Sequence, residues 1–154
     1  MSSLRLITFA ILATLAGTAG ASGGGGGPPP GAKSSEVKKA EKLIHAEKWD
    51  EAVKVLQRAV ERDDTNADAY NWLGYAERHR GNMDAAFAAY DKALQLDPDH
   101  RGAHEYVGEA YLLVNNLEKA REHLAALRSL CGKKCEEYED LEKAIAAYQA
   151  KHAS

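Results

Sequence analysis

Residues 67–100 read ADAYNWLGYAERHRGNMDAAFAAYDKALQLDPDH, and this stretch decides the fold. Ala86, Tyr90, Ala93 and Leu94 recur at helical spacing, and Gly81-Asn82 breaks the pattern near its middle. The stretch therefore predicts two short antiparallel helices. Written above residues 101–134, it aligns Gly74 with Gly108, Ala76 with Ala110, Ala86 with Ala120 and Leu96 with Leu130, and the second break falls at Asn115-Asn116. A step of 34 residues the other way places Ala40, Ala52, Leu56 and Ala59 over Gly74, Ala86, Tyr90 and Ala93. One such helix pair cannot bury its apolar face alone, whereas stacked copies share a core.

Outward from the repeats, helix breakers are concentrated at one end. Of 13 Gly, 8 lie at or before Gly31, and 3 of the 4 Pro form the run Pro28 to Pro30, so Pro98 stands alone in residues 33–154. A length of 154 residues, 45% of them hydrophobic, suits one small domain. A net charge of −3 gives no basic field for nucleic acid. Arg5, the apolar run Leu6 to Leu15 and the small residues Ala19-Gly20-Ala21 match a secretory signal over residues 1–21, with cleavage expected after Ala21. The run is too short for the roughly 20 residues of a spanning helix. Loss of Arg5 would leave 20 − 1 = 19 basic against 23 acidic residues, a mature chain of net −4 with no membrane span, periplasmic or secreted. Residues 22–32, rich in Gly and Pro, read as a tether.

Tyr70, Leu73-Gly74, Gly81, Ala86, Tyr90, Ala93 and Asp97-Pro98 fall in an order and spacing that resembles the tetratricopeptide repeat. The resemblance implies an all-α solenoid of three helix-turn-helix repeats, residues 33–66, 67–100 and 101–134, with residues 135–154 as a capping helix and tail. Seven helices and no strands are expected. Gly74 and Ala86 would let two helices approach closely, and Pro98 would end a helix. The first copy departs from the pattern at Glu47 and Asp64, the third at Asn115 and Gly132. Asn115 tolerates the left-handed turn conformation. Ser34 or Ser35, Thr65 or Asn66, and Asp97 or Asp99 are the candidate caps of the first, third and fifth helices.

In that family the first helix of each repeat lines a concave surface that takes an extended partner segment. Carried over residue by residue, the lining of the first repeat is Ser34, Val37, Lys38, Glu41, Ile44 and His45. The second contributes Asp68, Asn71, Trp72, Tyr75, Arg78 and His79, and the third Gly102, Glu105, Tyr106, Glu109, Leu112 and Leu113. Trp72, Tyr75 and Tyr106 would form an aromatic strip. Glu41, Asp68, Glu105 and Glu109 against Lys38 and Arg78 would leave the groove acidic by two charges. The expected partner is a protein or peptide with apolar and basic side chains. The competing reading makes Trp72 and Tyr106 core residues between repeats. A variant of the family grips a terminal carboxylate with Lys, Asn and Arg where this chain has Val37 and Glu41, Asn71 and Tyr75, Glu105 and Glu109. Asn71 alone matches, so that specificity is not expected.

In an exported chain, Cys131 and Cys135 read as one disulfide pinning the cap helix to the third repeat, with Gly132 in a left-handed helix cap. Closing so short a loop is worth about 2 kcal/mol. The alternative is a thiol-redox or metal-handling accessory protein, since a helix start beside Lys133 and Lys134 favours the Cys135 thiolate. Against it, the spacing is Cys-x-x-x-Cys, and the cysteines with His100, His104 and His123 fit no known ligand spacing. The run Glu136-Glu137-Tyr138-Glu139-Asp140 reads as a solvated face. Neither Ser34 nor Ser35 has a His or Asp partner at recognisable spacing, and no Gly-rich loop precedes a strand, so no catalytic residue, cofactor or metal is expected. Leu130 through Ile145 is similar to the C-terminus of a group of small exported bacterial tetratricopeptide proteins. The sequence thus points to a non-catalytic interaction adaptor or scaffold in the periplasm.

Overall fold

The structure is a computed structural model that describes residues 34–153; the predicted signal segment and tether lie outside them. Seven helices follow in order: α1 Ser35–His45, α2 Trp49–Arg62, α3 Ala67–His79, α4 Met83–Leu96, α5 Arg101–Leu113, α6 Leu117–Cys131 and α7 Glu136–His152. No strand occurs among the described residues, as the periodicity requires.

The first helix of each pair starts on a side-chain cap. Ser34 accepts the Val37 amide at 3.2 Å and Asn66 the Ala69 amide at 2.9 Å, each satisfying a donor that the first turn leaves orphaned. The fifth helix is capped differently from expectation. His100, one period after Asn66, accepts the Ala103 amide on Nδ1 at 3.1 Å, while Asp97 holds the Asp99 amide at 3.1 Å in the preceding turn.

The turns inside the pairs repeat bond for bond. Lys48, Asn82 and Asn116 donate their amides to the carbonyls of Leu43, Glu77 and Tyr111 at 2.9, 2.9 and 2.8 Å. This is the Schellman closure, which needs a residue of positive φ just before the donor. Glu47, Gly81 and Asn115 occupy that position with φ of 55°, 80° and 60°. At Gly132 the φ of 78° goes with a ψ of −175°. That corrects the expected left-handed helical cap: the chain is extended there, in a region open almost only to glycine.

Close approach explains two other glycines. A Cβ on Gly74 would stand 2.6 Å from the buried Tyr90 ring, so α3 and α4 pack through that gap. At Gly108 the intruder is Leu141, also at 2.6 Å, so the equivalent gap in the third pair receives the cap helix. Tyr138, Leu141 and Ile145 of α7 are buried at helical spacing against Leu112, Ala120 and Leu127.

The stacking sets the curvature. α3 contacts both α1 and α5, and α5 contacts α7, whereas α2, α4 and α6 make no contacts with one another. The layer of α1, α3, α5 and α7 is therefore closed up and the layer of α2, α4 and α6 fanned apart, which makes the first layer concave.

Candidate functional site

The concave layer brings the predicted aromatic strip together and extends it. The ring centroids of Trp72 lie 5.7 Å from Tyr75 and 6.0 Å from Tyr106, and Tyr75 and Tyr106 are 4.8 Å apart. His79 follows at 4.5 Å from Tyr75, and Trp49 stacks on His79 at 4.3 Å with planes 12° apart. Trp49 opens α2, so the first-helix rule left it out of the expected lining. Trp72 and Tyr106 are half-buried: one side packs on core residues and the rest remains exposed. The core reading therefore holds for one side of each ring, and the other side is open to solvent.

Arg78 is the strut of the strip. Its guanidinium donates to Glu109 at 2.6 Å and lies 5.1 Å from the Tyr75 ring centroid and 5.9 Å from that of Tyr106. With 9% of its side chain exposed, it is a fixture of the wall, in contrast to the free base expected from the sequence.

The row Val37, Asn71 and Glu105, spaced by one period, faces inward. Val37 is 0% exposed and packs with Ala59 and Ala69, which corrects its assignment to the groove: it has no surface to offer a partner. Asn71 is 4% exposed and its Oδ1 has no hydrogen-bond partner. Burial, followed by repulsion from Glu109, Asp140 and Glu137, pushes the Glu105 carboxyl up to about 8. It is mostly protonated at neutral pH.

The remaining predicted lining residues divide by exposure. Ile44 and Leu112 are buried, Glu41, Asp68 and Gly102 are half-buried, and Lys38 and His45 are exposed. Among the described residues, Leu113 is the most exposed large apolar one, at 63%. Ser34 is spent on its cap.

These contacts revise the charge count. Glu109 is neutralised by Arg78 and Glu105 is mostly uncharged, so Glu41 and Asp68 against Lys38 leave one net negative charge on the original lining. The acidity is concentrated around α5, which stands between α3 and α7. There, a cavity of about 650 Å³ takes Glu136, Glu137 and Asp140 into its wall along with Asp68 and Glu105. These α7 acids, read from sequence as a solvated face, belong to the site because α7 docks on α5.

Cys131 and Cys135 are joined to each other, 5.9 Å apart at Cα, and tie the end of α6 to the start of α7. With Glu137 they form the one group of three ligand atoms within 4.8 Å among the described residues, but sulfurs in a disulfide are not thiolate ligands. The imagined histidine ligands are also engaged elsewhere. His104 Nε2 donates to the Pro98 carbonyl at 2.9 Å, and its Nδ1 shares a proton with His123 Nδ1 at 2.9 Å. Burial, then His104, pushes His123 down to about 4. His100 Nδ1 is occupied by the Ala103 amide, so its Nε2 carries the proton and donates to Asp68 at 3.1 Å.

Comparison with known proteins agrees with this architecture. The tetratricopeptide repeat family matches residues 37–101 and again residues 77–145. Over 82 residues the chain is 28% identical to human protein O-mannosyl-transferase TMTC3, which covers 53% of this chain but 9% of that protein. The chain thus spans less than a tenth of that relative. Among solved structures, the type III secretion translocator chaperone SycD of Yersinia enterocolitica superposes with a TM-score of 0.67 at 20% identity, covering 77% of this chain and 84% of that one. The first repeat domain of Spaghetti (RPAP3), solved with the HSP90 peptide SRMEEVD, gives 0.67 at 18% identity over 77% and 91%. The two overlapping family matches run from residue 37 to residue 145 on a solenoid of the same helix pairs, and the chain belongs to the tetratricopeptide repeat family.

Proposed function

We propose that this protein is a non-catalytic adaptor that holds an extended segment of a partner protein in its concave groove, and that it works in the periplasm or outside the cell. The observation that carries the reading is the continuous run of rings that starts at Trp49, at the beginning of α2, and continues through His79, Tyr75 and Trp72 to Tyr106 on the concave layer. Aromatic rings held by rigid helices, with one side exposed, give large contact area at small entropic cost. Arg78 and Glu109 hold two of these rings in place without presenting a free charge. Similar structures are known with segments bound: SycD with a peptide of the translocator YopD, and the RPAP3 domain with the HSP90 peptide. The acidic end of this groove favours a segment with basic side chains rather than an acidic tail.

The test is selection of displayed 12-residue peptides on the full-length protein, followed by affinity measurement on a Trp72→Ala, Tyr75→Ala variant. Loss of two central anchors should weaken the selected peptides by roughly 30-fold or more. Retained affinity in a variant whose circular dichroism is unchanged would sink the groove reading. Export is tested separately, by the intact mass of the protein recovered outside the cytoplasm, which should begin at Ser22.

A further inference from the structure

The cavity at the α7 end of the groove has a composition that a general peptide groove does not need. Asp97 and Asp99 join Asp68 and Glu105 on one side, and Glu136, Glu137 and Asp140 enter from α7. Arg101, 3.5 Å from Glu137, is the one Arg or Lys in the wall, and His100 is engaged by the Ala103 amide and by Asp68. Asp140 is also paired outside the wall, with Lys143 at 2.9 Å. The negative charge is therefore well in excess of the resident cations.

Two further features bear on the shape of a cation that would fit this wall. Trp72 and Tyr106 form part of the wall, so a planar cation can lie against aromatic rings. Asn71 lines the same cavity, nine-tenths buried, with Oδ1 lacking a partner. Opposite it stands Gly102, where a Cβ would come within 3.3 Å of the Asn71 amide nitrogen. An unpaired buried carbonyl needs a donor. A lysine ammonium would satisfy the charge alone. A guanidinium supplies five in-plane donors for carboxylates and the amide oxygen, and a flat face for the rings.

We propose that this cavity is a specificity pocket for an arginine side chain of the bound partner segment, with Glu137 and Asp140 as its charge partners and Asn71 as its amide acceptor. The proposal rests on the groove reading only in assigning the arginine to a segment. Burial is the main reason that Glu105 keeps its proton; the smaller contribution, repulsion from Glu109, Asp140 and Glu137, is the part that a guanidinium would relieve.

The experiment is a chemical-shift titration of the full-length protein with Nα-acetyl-L-arginine amide, which mimics an arginine within a chain. Saturable shifts are expected at the backbone amides of Asn71, Gly102, Glu137 and Asp140. The neutral citrulline analogue and a Glu137→Gln, Asp140→Asn variant with an unchanged amide spectrum should each bind at least about tenfold more weakly. Tyr75→Ala, outside this cavity, should keep the arginine affinity while losing the groove peptides. The proposal is overturned by no saturable shift, by citrulline binding equally, or by full affinity in the α7 variant. Tighter binding of free L-arginine than of the blocked form would overturn the assignment to a peptide. If groove peptides bind through Trp72 and Tyr75 while arginine amide gives nothing, the pocket fails and the groove reading stands.

Discussion

At the scale of single residues, the turn at Glu47 is the least comfortable position in the repeats. An ordinary residue in the left-handed region costs about 1–2 kcal/mol, and glycine escapes it in return for a smaller loss of unfolded-chain entropy. Glu47 is exposed and takes a φ of 55° where the second repeat uses Gly81. Glu47→Gly should raise stability by about 0.5–1 kcal/mol in chemical denaturation. The row of Val37, Asn71 and Glu105 carries a second expectation, because a carboxyl sits where the first repeat puts a valine. Folded Glu105 keeps its proton up to about 8, while the unfolded chain releases it near the ordinary 4.5. Its effect on stability is thus neutral below 4.5, grows unfavourable as pH rises from 4.5 to 8, and is complete above 8. After a discount for solvent screening, Glu105→Gln should gain about 1–2 kcal/mol over the natural protein at pH 9 and little at pH 4. A gain of equal size at both pH values would contradict the burial of that carboxyl. The inward aim of this row was not legible beforehand: repeat position marks a residue as first-helix lining, but only packing tells whether it faces the groove or the neighbouring helix.

At the scale of elements, the helix pairs were written plainly in the chain. A 34-residue period with small residues at Gly74, Ala86 and Gly108 leaves little choice about pairing, and the caps at Ser34 and Asn66 agree with it. The cap at His100 was missed because imidazole is a rare cap and Asp97 and Asp99 stood nearby with better credentials. The docking of α7 was harder still. A run of acids reads as solvated surface unless its helix is known to lie against α5, and the gap that receives it, at Gly108, looks in sequence like a copy of Gly74. Its dependence on that gap is testable. Gly108→Ala should cost about 1–3 kcal/mol, since the Leu141 it displaces is fully buried. Hydrogen exchange should rise first in α7. Uniform exchange throughout the solenoid would mean that Gly108 serves the third pair alone.

At the scale of the whole molecule, three stacked pairs and a cap helix build one curved layer whose inner face combines two chemistries. Rings run along its middle, from Trp49 to Tyr106, and carboxylates gather where the solenoid meets α7. The fold came from periodicity, whereas the division of the groove into an aromatic middle and an acidic end arose only when helices far apart in sequence were brought together. The central claim is that this inner face is where a partner is held. Site-specific photocrosslinking in the producing cells tests it most directly, with p-benzoylphenylalanine at the exposed groove residue His79 and, as control, at the exposed Gln57 on the outer helix α2. A discrete adduct is predicted at position 79 and not at 57, and it should disappear in the Trp72→Ala, Tyr75→Ala background. Adducts at 57 alone, or an adduct at 79 that survives those substitutions, would contradict the account.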